Sequence, residues 1–440
     1  MPETFDKVFG GGTVVTPERT GVADIAVRDG RIAVIGMIDP ASGGEAIDCT
    51  GLHILPGVID TQVHFREPGA EHKEDLESGS RAAVMGGVTA VFEMPNTSPP
   101  TTTVEALADK VQRATGRMHC DFAFFVGGTR ENAREVAALE RLPGAAGIKI
   151  FMGSSTGSLL VDDDETLREI LSRTTRRVSV HAEDEPRLRE RRGFRAEGDP
   201  SSHPVWRDEV VALLATERLT RVAEEVNAKV HLLHVSTAEE IAFIRSHKAN
   251  VSVELTPQHL TLDASRYTDL GTRLQMNPPV RAARNRDALW QAVADGTADV
   301  LGSDHAPHTL AEKAKPYPAS PSGMPGVQTL LPVMLDHMAA GRLSLERLVD
   351  LTSAGPARVF AIAGKGRIAE GYDADLTIVD LKRRETVSDD WVASRAGWTP
   401  FAGMTVTGWP VGTIVCGNRV MWDGELTNAG LGRRLNFETD

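Results

Sequence analysis

The stretch GVIDTQVH at positions 57–64 is an apolar, β-branched run that ends in polar side chains, as a buried parallel strand does. Seven similar runs follow it, and helix-like segments separate most of them. The eight runs span residues 57–64, 88–96, 121–128, 147–152, 178–181, 230–234, 251–256 and 298–305. The clearest helical patterns span 104–115, 165–173, 208–225, 237–247 and 284–294. This alternation predicts an α/β fold, a closed (β/α)8 barrel of the TIM type. A doubly wound open sheet is the alternative, but no GxGxxG motif follows the first run.

Both ends of the chain have a different pattern, with short strand-like runs and turn residues between them. Such runs occur at 6–9, 13–15, 24–27 and 31–35, and again at 374–380, 411–415 and 419–422. We predict that residues 1–55 and 365–440 pair into a small β-sandwich domain beside a barrel of residues 56–364. The last dozen residues are predicted to form a loose tail.

The composition indicates a globular enzyme of the cytoplasm. The 440 residues are 41% hydrophobic and carry a formal net charge of −13, which argues against non-specific nucleic-acid binding but allows an anionic substrate. The three cysteines are far apart and form no CxxC pair, so we expect a reducing compartment and no cysteine-built zinc site. No signal peptide and no membrane-length apolar run is recognisable.

Polar residues suited to metal binding stand at the ends of five different predicted strands. They are His64, Lys149, His181, His234 and Asp304. Any one of them alone is more commonly a structural residue. The carboxyl ends of barrel strands meet on one face, however, so the set predicts a metal site there. Lys149, desolvated near a metal, could lose its proton and take up carbon dioxide as a bridging carbamate. The other histidines, His203, His231, His247 and His259, are interpreted as structural.

Several motifs together resemble the dihydroorotase branch of the amidohydrolase superfamily. They are PGVID at 56–60, VHFREPG at 63–69, MPNT at 94–97, MNPP at 276–279 and SDHAPHT at 303–309. The resemblance covers nearly the whole chain. It implies a zinc-dependent barrel with a small β-sandwich, and reversible hydrolysis of dihydroorotate to N-carbamoyl-aspartate in pyrimidine biosynthesis.

The resemblance also implies roles for individual residues. His64, Lys149, His181, His234 and Asp304 would bind one or two zinc ions, with Lys149 carboxylated, and Asp304 would act as the general acid–base. Arg66, Asn96 and His308 would hold the substrate carboxylate, Asn277 would hold the ring, and residues 308–323 would form a loop over the substrate. Alternatively, Arg66 could form a salt bridge with Glu67, and the two asparagines could only stabilise turns.

The substrate has alternatives within the superfamily. Hydantoinase-like members act on neutral rings, and allantoinase-like members usually lack the arginine of this motif, so Arg66 favours dihydroorotate. In contrast, Lys149 in GIKIFMG is more similar to hydantoinases and allantoinases. The resemblance also implies a homodimer, or a complex with aspartate transcarbamoylase in which some dihydroorotase-like chains are not catalytic.

One position departs from the family pattern. The family has Asp-x-His-x-His on the first strand, whereas this chain has Gln62 in place of the first histidine. An amide oxygen is a weaker zinc ligand than imidazole. The site could therefore hold two ions with Gln62 as a weak ligand, hold one ion and remain active, or have lost activity.

Overall fold

The structure, a computed structural model, describes residues 4–153, 159–427 and 429–438. Its centre is a barrel of eight parallel strands, arranged in chain order. These strands are β8 (Val58–Val63), β9 (Val88–Glu93), β10 (Asp121–Gly127), β11 (Ala145–Phe151), β12 (Val178–His181), β13 (Val230–Leu232), β14 (Val251–Leu255) and β15 (Val300–Leu301). Seven of the eight runs in the sequence contain one of them, and the eighth overlaps β11, which begins two residues before the run at 147–152. The barrel closes where His64 donates its backbone N–H to His305 O at 2.7 Å. The predicted (β/α)8 class is confirmed.

The helices surround the barrel and bury one face each. They are α1 (Leu76–Met85), α2 (Val104–Ala114), α3 (Val136–Leu139), α4 (Asp164–Arg173), α5 (Glu185–Glu190), α6 (His203–Trp206), α7 (Glu209–Glu225), α8 (Ala238–Ile244), α9 (Pro257–Thr261), α10 (Tyr267–Leu270), α11 (Ala283–Asp295), α12 (Leu310–Lys313), α13 (Leu330–Ala339), α14 (Leu345–Val349) and α15 (Gly355–Phe360). Several of the longer helices begin at polar N-cap residues. At the start of α2, Thr103 accepts a hydrogen bond from the N–H of Ala106, and at the start of α7, Asp208 accepts one from the N–H of Val211. Within the described residues, no helix is long and apolar enough to cross a bilayer.

Two further sheets are built from the ends of the chain. In the first sheet the strands lie in the order β5 (Arg31–Gly36), β4 (Asp24–Arg28), β1 (Phe5–Gly10) and β6 (Gly43–Asp48). In the second sheet the order is β19 (Glu425–Leu426), β18 (Asn418–Trp422), β17 (Thr405–Val415), β16 (Leu376–Thr386), β7 (His53–Pro56), β2 (Thr13–Val15) and β3 (Thr20–Val22). Both ends share the second sheet because β7 and β16 pair antiparallel. The domain bounds, 1–55 with 365–440 around 56–364, stay a prediction.

The C-terminal segment is packed, so the prediction of a loose tail is wrong. Arg433 O accepts a hydrogen bond from Phe122 N at 2.9 Å, and Leu435 N donates to Phe122 O at 2.9 Å. The Phe437 ring packs against Phe92 with the ring centroids 5.8 Å apart. These contacts lie near the amino-terminal end of β10, so the tail covers the end of the barrel opposite the carboxyl ends of the strands. Its few apolar residues were too widely spaced to indicate this contact.

Candidate metal and substrate site

One pocket opens at the carboxyl ends of the barrel strands and collects nearly all of the predicted site residues. Its lining consists of Gln62, His64, Arg66, Asn96, Lys149, Phe151, His181, His234, Asn277, Asp304, Ala306, Ser322 and Gly323. The predicted metal ligands all lie in this lining, as do three of the four predicted substrate residues. His308 is the exception, and it lies behind Arg66.

The backbone at this pocket is strained at three of these positions. Arg66, His234 and Asp304 have φ angles of 65°, 40° and 44°, in the left-handed region that residues with a Cβ rarely adopt. Each such residue costs on the order of 1 kcal/mol or more, and strain of this kind concentrates at functional sites. It lies here on three residues that the sequence analysis also singled out as site residues.

His181 and His234 are arranged to share one cation. His181 Nε2 donates to Glu183 Oε2 at 2.9 Å, which leaves the Nδ1 lone pair 3.0 Å from His234 Nε2. Two nitrogens bound to one tetrahedral zinc at 2.0–2.1 Å are about 3.3 Å apart. Burial lowers the pKa of both histidines, which favours the neutral rings that act as metal ligands. Glu183, which the sequence analysis missed, fixes the tautomer of His181.

Lys149 lies on β11 beside these histidines and is fully buried. Its Nζ donates to Ile150 O at 2.9 Å and lies 3.7 Å from the centroid of the Phe151 ring. No carboxylate of the described residues lies within ion-pair distance of it. Burial holds the pKa of Lys149 well below its usual value, which favours the neutral amine. A neutral amine in this position can react with carbon dioxide, so the environment fits a carbamate.

His64 and Asp304 form the opposite side of the metal-binding region. His64 Nδ1 donates to Asn96 Oδ1 at 2.8 Å, and its Nε2 lies 3.3 Å from Asp304 Oδ1. Gln62 Nε2 donates to the same Asp304 oxygen at 3.0 Å. The Gln62 Oε1 atom is buried and has no hydrogen-bond partner among the described residues. This side therefore offers two possible metal ligands, the imidazole of His64 and the carboxylate of Asp304. The carboxylate is also hydrogen-bonded to the side-chain N–H of Gln62.

Arg66 presents a partly buried positive charge to the pocket. Its Nε donates to Pro307 O at 3.1 Å, and no carboxylate of the described residues lies within ion-pair distance of the guanidinium. Glu67 instead pairs with Arg117, at 2.8 Å, and with Arg113, so a salt bridge between Arg66 and Glu67 is excluded. A guanidinium that is partly removed from water and has no partner carboxylate is unfavourable, and an anionic ligand would offset that cost.

His308 lies against the guanidinium of Arg66 but does not accept a hydrogen bond from it. Lys73 Nζ donates to His308 Nδ1 at 3.1 Å, and His308 Nε2 donates to Ser322 O at 3.0 Å. Burial and the positive charge of Arg66 hold the pKa of His308 far below its usual range, so the ring is neutral. The Arg66 Nη2 atom lies 3.3 Å from the protonated His308 Nε2 and gains no acceptor there. The terminal nitrogens of Arg66 are thus available to a ligand.

The two asparagines are positioned as hydrogen-bond donors. Asn96 Oδ1 accepts from His64, and Asn277 Oδ1 accepts from His203 Nε2 at 3.0 Å. Burial lowers the pKa of His203 to about 3, so its ring is neutral and donates through Nε2. The side-chain NH2 groups of both asparagines form no hydrogen bond with the described residues. His203, interpreted as purely structural from the sequence, therefore orients a pocket residue.

Lys313 is a further residue that the sequence analysis missed, and it anchors the loop at 308–323. Its buried Nζ donates to three carbonyl oxygens, Gln275 at 3.1 Å, Pro321 at 2.8 Å and Gly323 at 2.9 Å. Burial and nearby Arg66 lower the pKa of Lys313 to about 7. Since Gly323 lines the pocket, this side chain fixes part of the pocket wall.

Replacing Lys313 with methionine is expected to raise KM about tenfold with a smaller change in kcat. Each lost hydrogen bond costs about 0.5–1.5 kcal/mol, and part of that cost appears as a looser pocket wall. Steady-state kinetics and hydrogen exchange of residues 308–323 would measure the effect. Lys315→Met, at an exposed position two residues on, is the matched control. Unchanged KM and exchange in Lys313→Met would refute the anchoring role.

A second cluster of potential ligands lies at the opposite end of the barrel. Asp121, Asp373 and Cys416 are close enough to surround an ion. The ammonium group of Lys365 already lies among them, 2.6 Å from Asp121 Oδ2 and 3.1 Å from Asp373 Oδ2. The positive charge that these carboxylates require is therefore supplied by the protein itself, and the cluster is a structural ion pair.

The barrel and the pocket are those of a hydrolase that acts on amide bonds, and the similarity to known proteins agrees. Residues 53–420 match the model of the amidohydrolase family, and the chain belongs to this family. Among its relatives, the dihydroorotase of Halobacterium salinarum is 38% identical over 94% of this chain and 99% of its own length. That of Methanosarcina mazei is 37% identical over 93% of each chain. The predicted resemblance to dihydroorotases is confirmed.

Solved structures place the chain in the same group of enzymes. The L-hydantoinase (dihydropyrimidinase) of Arthrobacter aurescens superposes with a TM-score of 0.93 at 31% identity, covering 98% of this chain and 100% of that one. The dihydropyrimidinase of Brevibacillus agri gives 0.90 at 28% identity, covering 99% and 100%. With its dihydroorotase relatives, these neighbours define the chain as a cyclic amidohydrolase, as predicted.

Proposed function

We propose that the chain is a zinc-dependent dihydroorotase of the cytoplasm that interconverts dihydroorotate and N-carbamoyl-aspartate in pyrimidine biosynthesis. The observation that supports this substrate is Arg66, a partly buried guanidinium without a partner carboxylate among the described residues, which faces the same pocket as the cluster of metal-binding side chains. A ring that carries both a cyclic amide and a carboxylate satisfies both parts of this pocket. The donor NH2 groups of Asn96 and Asn277 suit the oxygens of such a ligand.

The donor set fits a borderline divalent cation such as zinc. His181, His234 and a carboxylated Lys149 would hold it, with His64 and Asp304 on the far side. When bound, the ion would lower the pKa of a water molecule and polarise the ring amide carbonyl. The neutral state of the histidines and the depressed pKa of Lys149 support this assignment.

The residues of the chain supply substrate orientation and proton transfer. Arg66 would bind the substrate carboxylate through two parallel hydrogen bonds and so fix the amide carbonyl above Lys149 and the histidines. Asp304, which lines the pocket, would accept a proton from the attacking water. It would then deliver that proton to the ring nitrogen as the carbon–nitrogen bond breaks, which balances the hydrolysis.

Two other functions compete with this one. The hydantoinase structural neighbours support turnover of a neutral ring, but a neutral ring would leave Arg66 without a partner. A non-catalytic partner of aspartate transcarbamoylase would not need Asp304 in the pocket. A homodimer is carried over from the resemblance alone.

The test is hydrolysis of dihydroorotate by zinc-loaded protein, with hydantoin and allantoin as comparison rings and the zinc content measured on the same sample. We expect turnover of dihydroorotate and little of the neutral rings. Preferred turnover of a neutral ring would move the chain to the hydantoinases. Bound zinc without turnover of any ring would favour the non-catalytic partner, which binding to aspartate transcarbamoylase would then check.

A further inference from the structure

The two halves of the metal-binding region differ in the donors they offer. On one half, His181 Nδ1 and His234 Nε2 lie 3.0 Å apart beside Lys149, and Glu183 holds the first ring in the required tautomer. His181 Nδ1 presents a lone pair here, and His234 Nε2 presents one when its ring adopts the other neutral tautomer. This half already has a geometry that one tetrahedral ion requires.

On the other half, a hydrogen bond takes the place of a ligand. His64 Nε2 and Asp304 Oδ1 are 3.3 Å apart, but the same oxygen accepts a hydrogen bond from Gln62 Nε2 at 3.0 Å. The amide must face Asp304 with its NH2 group, because the carbonyl oxygen would be repelled by the carboxylate. An N–H group cannot bind a cation. Gln62 therefore faces Asp304 with a group that cannot bind a cation, and its buried Oε1 atom, which has no hydrogen-bond partner among the described residues, is at most a weaker ligand than an imidazole nitrogen.

We propose that the centre is asymmetric, and this inference rests on the metal dependence proposed above. One ion binds tightly at Lys149, His181 and His234, whereas a second ion at His64 and Asp304 binds at least about 100-fold more weakly, because loss of a direct ligand costs no less than the 10–100-fold that loss of a contact behind a ligand costs. Gln62 is a positioning residue that holds the Asp304 carboxylate by an N–H donor where a second cation would otherwise hold it. Asp304 is then still held in place to accept a proton when only one ion is bound.

The test measures the number of zinc ions bound per chain and does not depend on enzymatic turnover. The full chain is loaded with excess zinc, dialysed against metal-free buffer, and measured by plasma mass spectrometry and native mass spectrometry. We expect one ion per chain in the wild type and two in Gln62→His, which supplies an imidazole in place of the amide. Gln62→Ala removes the amide without adding a ligand and is expected to keep one ion. Titration with cobalt, followed by its absorption spectrum, should show one tight and one weak phase in the wild type.

Two further variants test which half holds the tight ion. His234→Asn should lose it, whereas His64→Asn should keep one ion per chain; thermal melting shows whether each variant is folded. Two tightly bound ions in the wild type, or a single ion in folded Gln62→His, would overturn the asymmetry and leave the proposed activity standing if dihydroorotate is still hydrolysed. A wild type that binds no ion under any of these conditions would instead overturn the metal dependence itself.

Discussion

Replacing Asp304 with asparagine is expected to lower kcat for dihydroorotate by about 10³-fold, within the 10²–10⁴ range that a positioned acid–base group contributes. Asparagine has nearly the same shape and can still accept the hydrogen bond from Gln62, but it cannot take up a proton. In the proposed asymmetric centre the tight ion lies on the side of Lys149, His181 and His234, so we expect the zinc content to remain that of the wild type. A stopped assay of dihydroorotate hydrolysis with zinc analysis on the same sample measures both.

The control for this variant is Asp287→Asn, which alters a carboxylate whose side chain is 69% exposed on the protein surface. It should leave kcat and zinc content unchanged. If Asp304→Asn loses less than about tenfold in kcat, within the scatter of a surface change, another group must accept the proton. If it loses its zinc together with activity, Asp304 is a main metal ligand and the asymmetric arrangement is wrong.

The fold and the residues that meet in the pocket were predictable because topology fixes them. In a parallel barrel every strand delivers its last residue to the same face, whatever the loops do. Thus His64, His181 and His234 could be placed together from the position of each at the end of an apolar run. Lys149 followed from the same rule, and the residues that line the pocket agree.

The contacts behind these residues were not predictable, because they depend on loop conformation. Glu183 follows β12 by two residues and reaches back to His181, and His203 reaches Asn277 across 74 positions of the chain. Proximity in the sequence was also misleading, because two adjacent residues of opposite charge do not pair. Arg66 and Glu67 are adjacent but do not pair, since Arg66 has a φ of 65° and Glu67 is held by arginines of the α2 region.

The hydrogen bond of Gln62 shows the same limit at the centre of the site. The sequence indicates that an imidazole is missing, which predicts weaker binding or loss of the ion at the first strand but leaves a weak ligand, a one-ion site and an inactive site all open. Which of these applies depends on the direction of the side-chain amide. The structure gives that direction, because Gln62 Nε2 and Asp304 Oδ1 are 3.0 Å apart. A substitution that looks like damage in the sequence is, in the folded protein, a specific contact to a functional carboxylate.

Replacing Arg66 with methionine is expected to lower kcat/KM for dihydroorotate by about 10³-fold, since two charge-assisted hydrogen bonds of about 1.5–3 kcal/mol each are lost. Hydrolysis of dihydrouracil, the same ring without the carboxylate, should change by less than about threefold, because a neutral ring makes no such bonds. The ratio of the two kcat/KM values isolates the carboxylate contact from any general damage.

The matched control is Arg113→Met, which removes a half-exposed arginine from the Glu67 ion pair and should leave that ratio unchanged. Zinc content should be the same in all three proteins, because Arg66 is a donor and cannot bind a cation. An equal loss with both rings would mean that Arg66 only maintains the pocket wall. An unchanged ratio with full activity would mean that the carboxylate binds elsewhere, and the substrate would have to be sought among neutral rings. A selective loss with dihydroorotate is the result expected for a partly buried guanidinium without a partner carboxylate, since an anionic substrate offsets its desolvation and a neutral ring does not.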